Sequence, residues 1–151
     1  MLSGKLSSTD IFRKLNQERT VQDDLKYGYA NESKMLELLN STFSDTFRNT
    51  KELHGEYCNY DFEGSSGKKI EMKSRRNKYA DFSKTIIPVH KCKNANSPNV
   101  FVFQFTDGAY YIEYDEDEFN SYEIKNIVSN RKNKCENKPH YFIPIGDLIR
   151  M

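Results

Sequence analysis

The sequence predicts an α/β fold, a central mixed β-sheet flanked by helices, and three stretches predict it. Around Gly64-Ser65-Ser66-Gly67, Cys58, Tyr60, Phe62, Ile70 and Met72 are apolar or aromatic, while Asn59, Asp61, Glu63, Lys69, Glu71 and Lys73 are polar. A period of two on either side of a glycine-serine turn reads as a β-hairpin. Val100-Phe101-Val102-Phe103-Gln104-Phe105 is apolar on both faces, as a central strand covered on both sides must be. Met35, Leu36 and Leu39 form the stripe of a helix over residues 29–40.

In chain order, residues 1–7 carry no pattern, and Ser8 or Thr9 can cap a short helix with Ile11, Phe12 and Leu15 on one face. Residues 1–27 are therefore read as an N-terminal helical extension and 28–151 as the main domain. The second helix starts around Gly28. An edge strand fits 43–50, and 53–62 leads into the hairpin. A helix or loop continues to Lys91, with Pro88 barring a long helix, and 94–99 is a loop. Asp107-Gly108 turns the central strand into another over 109–114. Residues 115–118 read as an acidic, solvent-facing loop, 122–128 as a strand and 131–134 as a basic loop. Residues 140–145 read as a closing strand, followed by a helical turn at 147–149.

At 151 residues the chain suits one domain. Its 23 Lys and Arg balance 22 Asp and Glu, so net charge selects no partner; distribution does. Between Lys68 and Lys93 nine Lys or Arg stand against two acids, Glu71 and Asp81, which suits a phosphate-facing surface. The three cysteines lie far apart, without the spacing of a zinc site or disulfide scaffold. The charged start lacks a signal core and no run reaches membrane-spanning length, so the expectation is an intracellular protein with no membrane partner.

Closing the hairpin around Ser66 sets Asp61 opposite Glu71, with Lys73 about 6.5 Å further along the same face. Two facing carboxylates repel unless something compensates them. A hard divalent cation does so through oxygen ligands, Mg²⁺ commonly using one or two carboxylates plus substrate phosphate. An ammonium on that face can hold or activate a water; the alternative is a solvated hairpin of mixed charge. Acid-x-Lys also occurs at Asp24/Lys26, Glu32/Lys34, Glu123/Lys125 and Glu136/Lys138. Only Glu71/Lys73 combines alternating neighbours, a preceding turn, an Asp before that turn and a basic run after it.

Asp61, nine residues, then Glu71-Met72-Lys73 resembles the Asp…(Glu/Asp)-x-Lys signature of the PD-(D/E)xK nuclease superfamily, which includes restriction endonucleases, archaeal-type Holliday junction resolvases and repair nucleases. The resemblance covers roughly residues 28–114. Tyr60 stands where the family often has Pro, and Lys73-Ser74-Arg75 is similar to the form in junction resolvases. The resemblance implies a restriction-endonuclease-like core that hydrolyses DNA phosphodiesters in repair, recombination or restriction. It implies Mg²⁺ or Mn²⁺ held by Asp61, Glu71 and the Met72 carbonyl, with Glu32 from the helix as a further ligand. Glu32, Asp61, Glu71 and Lys73 would be the catalytic set, and by analogy the partner of the chain is DNA and the assembly a homodimer. Read from the residues alone, Glu32 can equally be a wet first-turn carboxylate. Arg75, Arg76, Lys78 and Tyr79 follow the site strand and can reach phosphate, sugar or base; Lys84 and Lys91 can add phosphate contacts. An RNA endonuclease on the same scaffold and a non-catalytic binding module are the alternatives.

Overall fold

The structure, a computed structural model, describes residues 20–55, 58–131 and 134–151, with the backbone alone at 24, 25, 27–33, 129–131 and 134. The proposed helix over residues 8–15 and the side chains of the basic run 131–134 lie outside the described residues. Helix α1, Val21–Phe43, begins seven residues before Gly28. A capping box accounts for the early start: Asp23 N–H donates to Thr20 Oγ1 and Thr20 N–H to Asp23 Oδ2, each at 3.1 Å. Two satisfied backbone donors offset the ~1 kcal/mol a mid-helix glycine costs. The helix ends at Ser44, whose φ of 50° turns the chain.

Strands β1 (Phe47–Asn49), β2 (Phe62–Gly64), β3 (Lys69–Ser74), β5 (Val100–Phe105), β6 (Gly108–Glu113) and β9 (Ile149–Arg150) form a six-stranded mixed sheet in that spatial order. Only the β3–β5 pair is parallel. A second, antiparallel sheet has the order β4 (Lys84–Pro88), β8 (Lys134–Pro144), β7 (Glu123–Arg131). Thus the fold is mixed α/β, richer in strand than the sequence suggested. The segment between β3 and β5 is a strand between two 3₁₀ turns, not a helix. Short helix α2, Thr50–His54, follows a three-residue β1 where a longer edge strand was expected. Residues 115–118 open helix α3, Glu116–Asn120, because the Asp115 carboxylate caps it by accepting from Glu118 N–H at 3.0 Å.

The sheet separates two cores. On one face Met35 and Leu39 of α1 pack with Phe47, Phe62, Ile70, Met72, Val100, Val102 and Ala109. On the other, Phe101, Phe103 and Phe105 meet Ile87, Tyr141 and Ile143 of the second sheet and Phe119 of α3. The second cover is therefore mostly a sheet rather than helices. Alternation along β3 places Ile70 and Met72 toward α1, and Glu71 and Lys73 toward the second sheet.

Candidate functional site

The hairpin has the expected register. Phe62 faces Ile70 and Glu63 faces Lys69, but Asp61 lies past the last paired residue and its N–H goes to Ile70 O, so it does not take the expected ladder position opposite Glu71. The hairpin tip is pinned from outside, by Asp45 accepting from the hydroxyls of Ser65 and Ser66. Those bonds hold the Asp45 carboxyl well below its ordinary pKa. A side chain at Gly64 would run into the Asp45 carboxylate and lie 3.0 Å from the Phe47 ring, so glycine is required there.

At Asp61 the ladder stops and the chain bends. Asp61 N–H still donates to Ile70 O at 2.8 Å, but the next position on β3 is served by a side chain: Met72 N–H donates to Asp61 Oδ2 at 2.8 Å. The carboxylate thus replaces the backbone acceptor that the departing strand withdraws. In an extended strand a residue's N–H and C=O point to the same edge, so the Met72 carbonyl faces the gap beside Asp61. The bend also separates Tyr60 from the face assigned by alternation. Its hydroxyl donates to Glu63 Oε1 at 2.7 Å and its ring lies under Lys69 Nζ, apart from Phe62, Ile70 and Met72.

Glu71 is 5% exposed, and its Oε2 lies 3.6 Å from Lys73 Nζ and 2.7 Å from Lys91 Nζ. It also lies within hydrogen-bonding reach of the Asp61 carboxyl. Burial alone would raise the Glu71 pKa, but Lys73, the Asp61 hydrogen bond and Lys91 together hold it below the ordinary value. For Lys73 burial wins, joined by the charges of Arg75 and Lys91. Its pKa is lowered despite the attraction of Glu71 and Asp61. Asp61, Glu71, Lys73 and Lys91 therefore converge on one point.

Other expected contacts fall elsewhere. Arg75 turns inward, its guanidinium on the Phe103 ring and donating to Ile86 O at 2.9 Å, and burial lowers its pKa to about 10. Tyr79 stacks on Tyr110 at 4.0 Å and donates to Ile145 O at 3.1 Å, so its ring is packed against the core. Lys84 pairs with Glu123 at 3.7 Å on the second sheet. Arg76 and Lys78 are exposed, Arg76 lying close enough to Asp23 at the start of α1 to help lower its pKa. Glu32 lies in α1, with its side chain outside the described residues. Gln104 donates to Phe105 O at 2.9 Å, a local core bond.

Sequence reading missed four contributors. Thr50, 2% exposed, holds the bend through the carbonyls of Tyr60 and Asp61; the preceding Asp45-Thr46-Phe47-Arg48-Asn49 carries no pattern that marks it. His90, Lys138 and His140 also come to the site's flank. The His90 pKa is lowered by burial and then by Lys138, Lys91, Lys73 and His140, which marks a basic rim shared by two elements distant in sequence.

Among the described residues no three His, Cys, Asp or Glu gather into a metal-holding group, and no helix is long and apolar enough to cross a membrane. The chain has no match among family models, curated proteins or solved structures.

Proposed function

We propose that this chain is a metal-dependent endonuclease that hydrolyses phosphodiester bonds in DNA on a restriction-endonuclease-like core. The observation that carries the reading is the meeting of the Asp61 and Glu71 carboxyls with Lys73 3.6 Å from Glu71. The order of helix, acid-bearing hairpin and parallel partner strand supports it.

Two carboxylates with the Met72 carbonyl facing the same gap suit Mg²⁺ or Mn²⁺, since such ions take one or two carboxylates and complete their shell with water and substrate phosphate. Asp61, Glu71 and the Met72 carbonyl would hold the ion, while α1, which carries Glu32, packs through Met35 and Leu39 on the opposite face of the sheet. When bound, the ion lowers the pKa of a coordinated water and offsets phosphate charge. Lys73 would orient the attacking water or take its proton at Nζ, a task suited to an amine whose pKa burial has lowered. Arg76 and Lys78 would steer the backbone of the substrate.

The test is incubation with duplex, branched and single-stranded DNA and with RNA, in Mg²⁺ or Mn²⁺ and then EDTA. Cleavage of DNA that EDTA abolishes is the expected result. Cleavage of RNA alone would move the assignment to that substrate. A gel shift without cutting would make the chain a binding module.

A further inference from the structure

The closest cation to Glu71 is Lys91 rather than the motif lysine: its ammonium lies 2.7 Å from Glu71 Oε2, against 3.6 Å for Lys73. Lys91 comes from the 3₁₀ turn Val89–Lys91, on the segment that crosses between the sheets. The base of that turn is fixed, since Cys92 is buried and its N–H donates to Val89 O at 3.1 Å. The side chain spans from this anchor to the site and ends 3.5 Å from the Asn59 carbonyl, just before the Asp61 bend. It is 28% exposed, whereas the Glu71 side chain is 7% exposed. Lys91 thus links the turn, the bend and the buried carboxylate through one flexible four-carbon stem.

Charge counting gives this link a role. Glu71 is held ionised between two ammonium groups, Lys91 at 2.7 Å and Lys73 at 3.6 Å from its Oε2. A divalent ion arriving on Glu71 adds two positive charges beside the Lys91 ammonium that already sits on Oε2. Like charges that close in a poorly hydrated site repel strongly. Of the two lysines, Lys91 is the more exposed and the one rooted outside the sheet.

We infer that Lys91 is a placeholder cation that neutralises Glu71 until the metal binds and then moves its ammonium onto a substrate phosphate. The inference rests on the metal-dependent reading above and adds a competition between Lys91 and the ion. Metal entry and phosphate capture become linked events: the ion frees the amine that the nucleic-acid backbone then takes up.

The test is Mn²⁺ binding to the full chain by isothermal titration calorimetry, without nucleic acid, for the unaltered protein, Lys91→Met, Lys91→Arg and Glu71→Gln. Lys91→Met is expected to bind Mn²⁺ about tenfold more tightly, the lower end of coupling energies for close charge pairs. In duplex-binding titrations with Mn²⁺ it is expected to bind DNA less tightly. Lys91→Arg keeps the charge and is expected to bind Mn²⁺ as the unaltered protein does. Should Lys91→Met fold poorly, Lys91→Gln serves in its place. Unchanged or weaker Mn²⁺ affinity in the Met or Gln variant, with the unaltered protein binding Mn²⁺ through Glu71, overturns the placeholder role alone. Failure of the unaltered protein to bind Mn²⁺, with Glu71→Gln making no difference, overturns the metal reading and this inference with it.

Discussion

Thr50 holds the bend from which Asp61 is aimed. Its backbone N–H donates to the Asp61 carbonyl at 3.0 Å, and its hydroxyl lies 2.6 Å from the Tyr60 carbonyl and 3.1 Å from that of Asp61. Thr50→Val keeps the shape and removes the hydroxyl, leaving a buried carbonyl short of a donor. Chemical denaturation is expected to show a loss of about 1–3 kcal/mol. Cleavage is expected to fall through kcat more than KM, since Thr50 would position the site without touching substrate. A fall in stability with kcat untouched would detach the bend from the chemistry.

Lys73→Ala is expected to lower the cleavage rate by about 10²–10⁴-fold, the usual contribution of a positioned acid or base. Circular dichroism would check that the fold is retained. Cleavage at the original rate would remove Lys73 from the mechanism.

Acid should act on Glu71 with a defined sign. Its pKa is below the ordinary 4.5 in the folded chain, so its contribution to stability is complete above about pH 4.5 and is lost as pH falls through the folded value. Glu71→Gln is expected to flatten the pH dependence of denaturation free energy in that window. Residual slope from Asp45 and Glu63, whose pKa values hydrogen bonds lower, is expected to remain. A variant as acid-sensitive as the unaltered chain would contradict this.

Gly64→Ala tests the hairpin tip. The added methyl meets the Asp45 carboxylate and the Phe47 ring, and overpacking of this kind costs about 1–3 kcal/mol. Asp45→Ala in the same chain is expected to recover part of that loss while loosening the Ser65–Ser66 turn. Thermal melts of the two single variants and the double variant would measure the coupling.

The hairpin register and the central strand were legible because both depend on local alternation, which a one-residue slip would invert. Phe62 accordingly pairs with Ile70 as the alternation requires, and β5 begins and ends where its apolar run does. The start of α1 was missed because Gly28 was read as its boundary, whereas the Thr20–Asp23 capping box starts the helix earlier. The second sheet was legible only in part: residues 122–128 and 140–145 read as strands, but β4 pairs with β8 across more than fifty residues, as Thr85 with Ile143, and no local pattern encodes such a partner. The same blindness hid the approach of Lys138 and His140 to the site. The stacking of Tyr79 on Tyr110 was not legible either, because it depends on a strand thirty residues on.

The chain passes from one sheet to the other between β3 and β4, β4 and β5, β6 and β7, and β8 and β9. Neither layer can close while the other is still open, because the parallel β3–β5 pair is joined by a segment already committed to the opposite layer. The described residues should accordingly melt as one all-or-none unit, and refold slowly for their size, since the β3–β5 and β4–β8 pairings must close long loops. A protease would find no half-molecule to release.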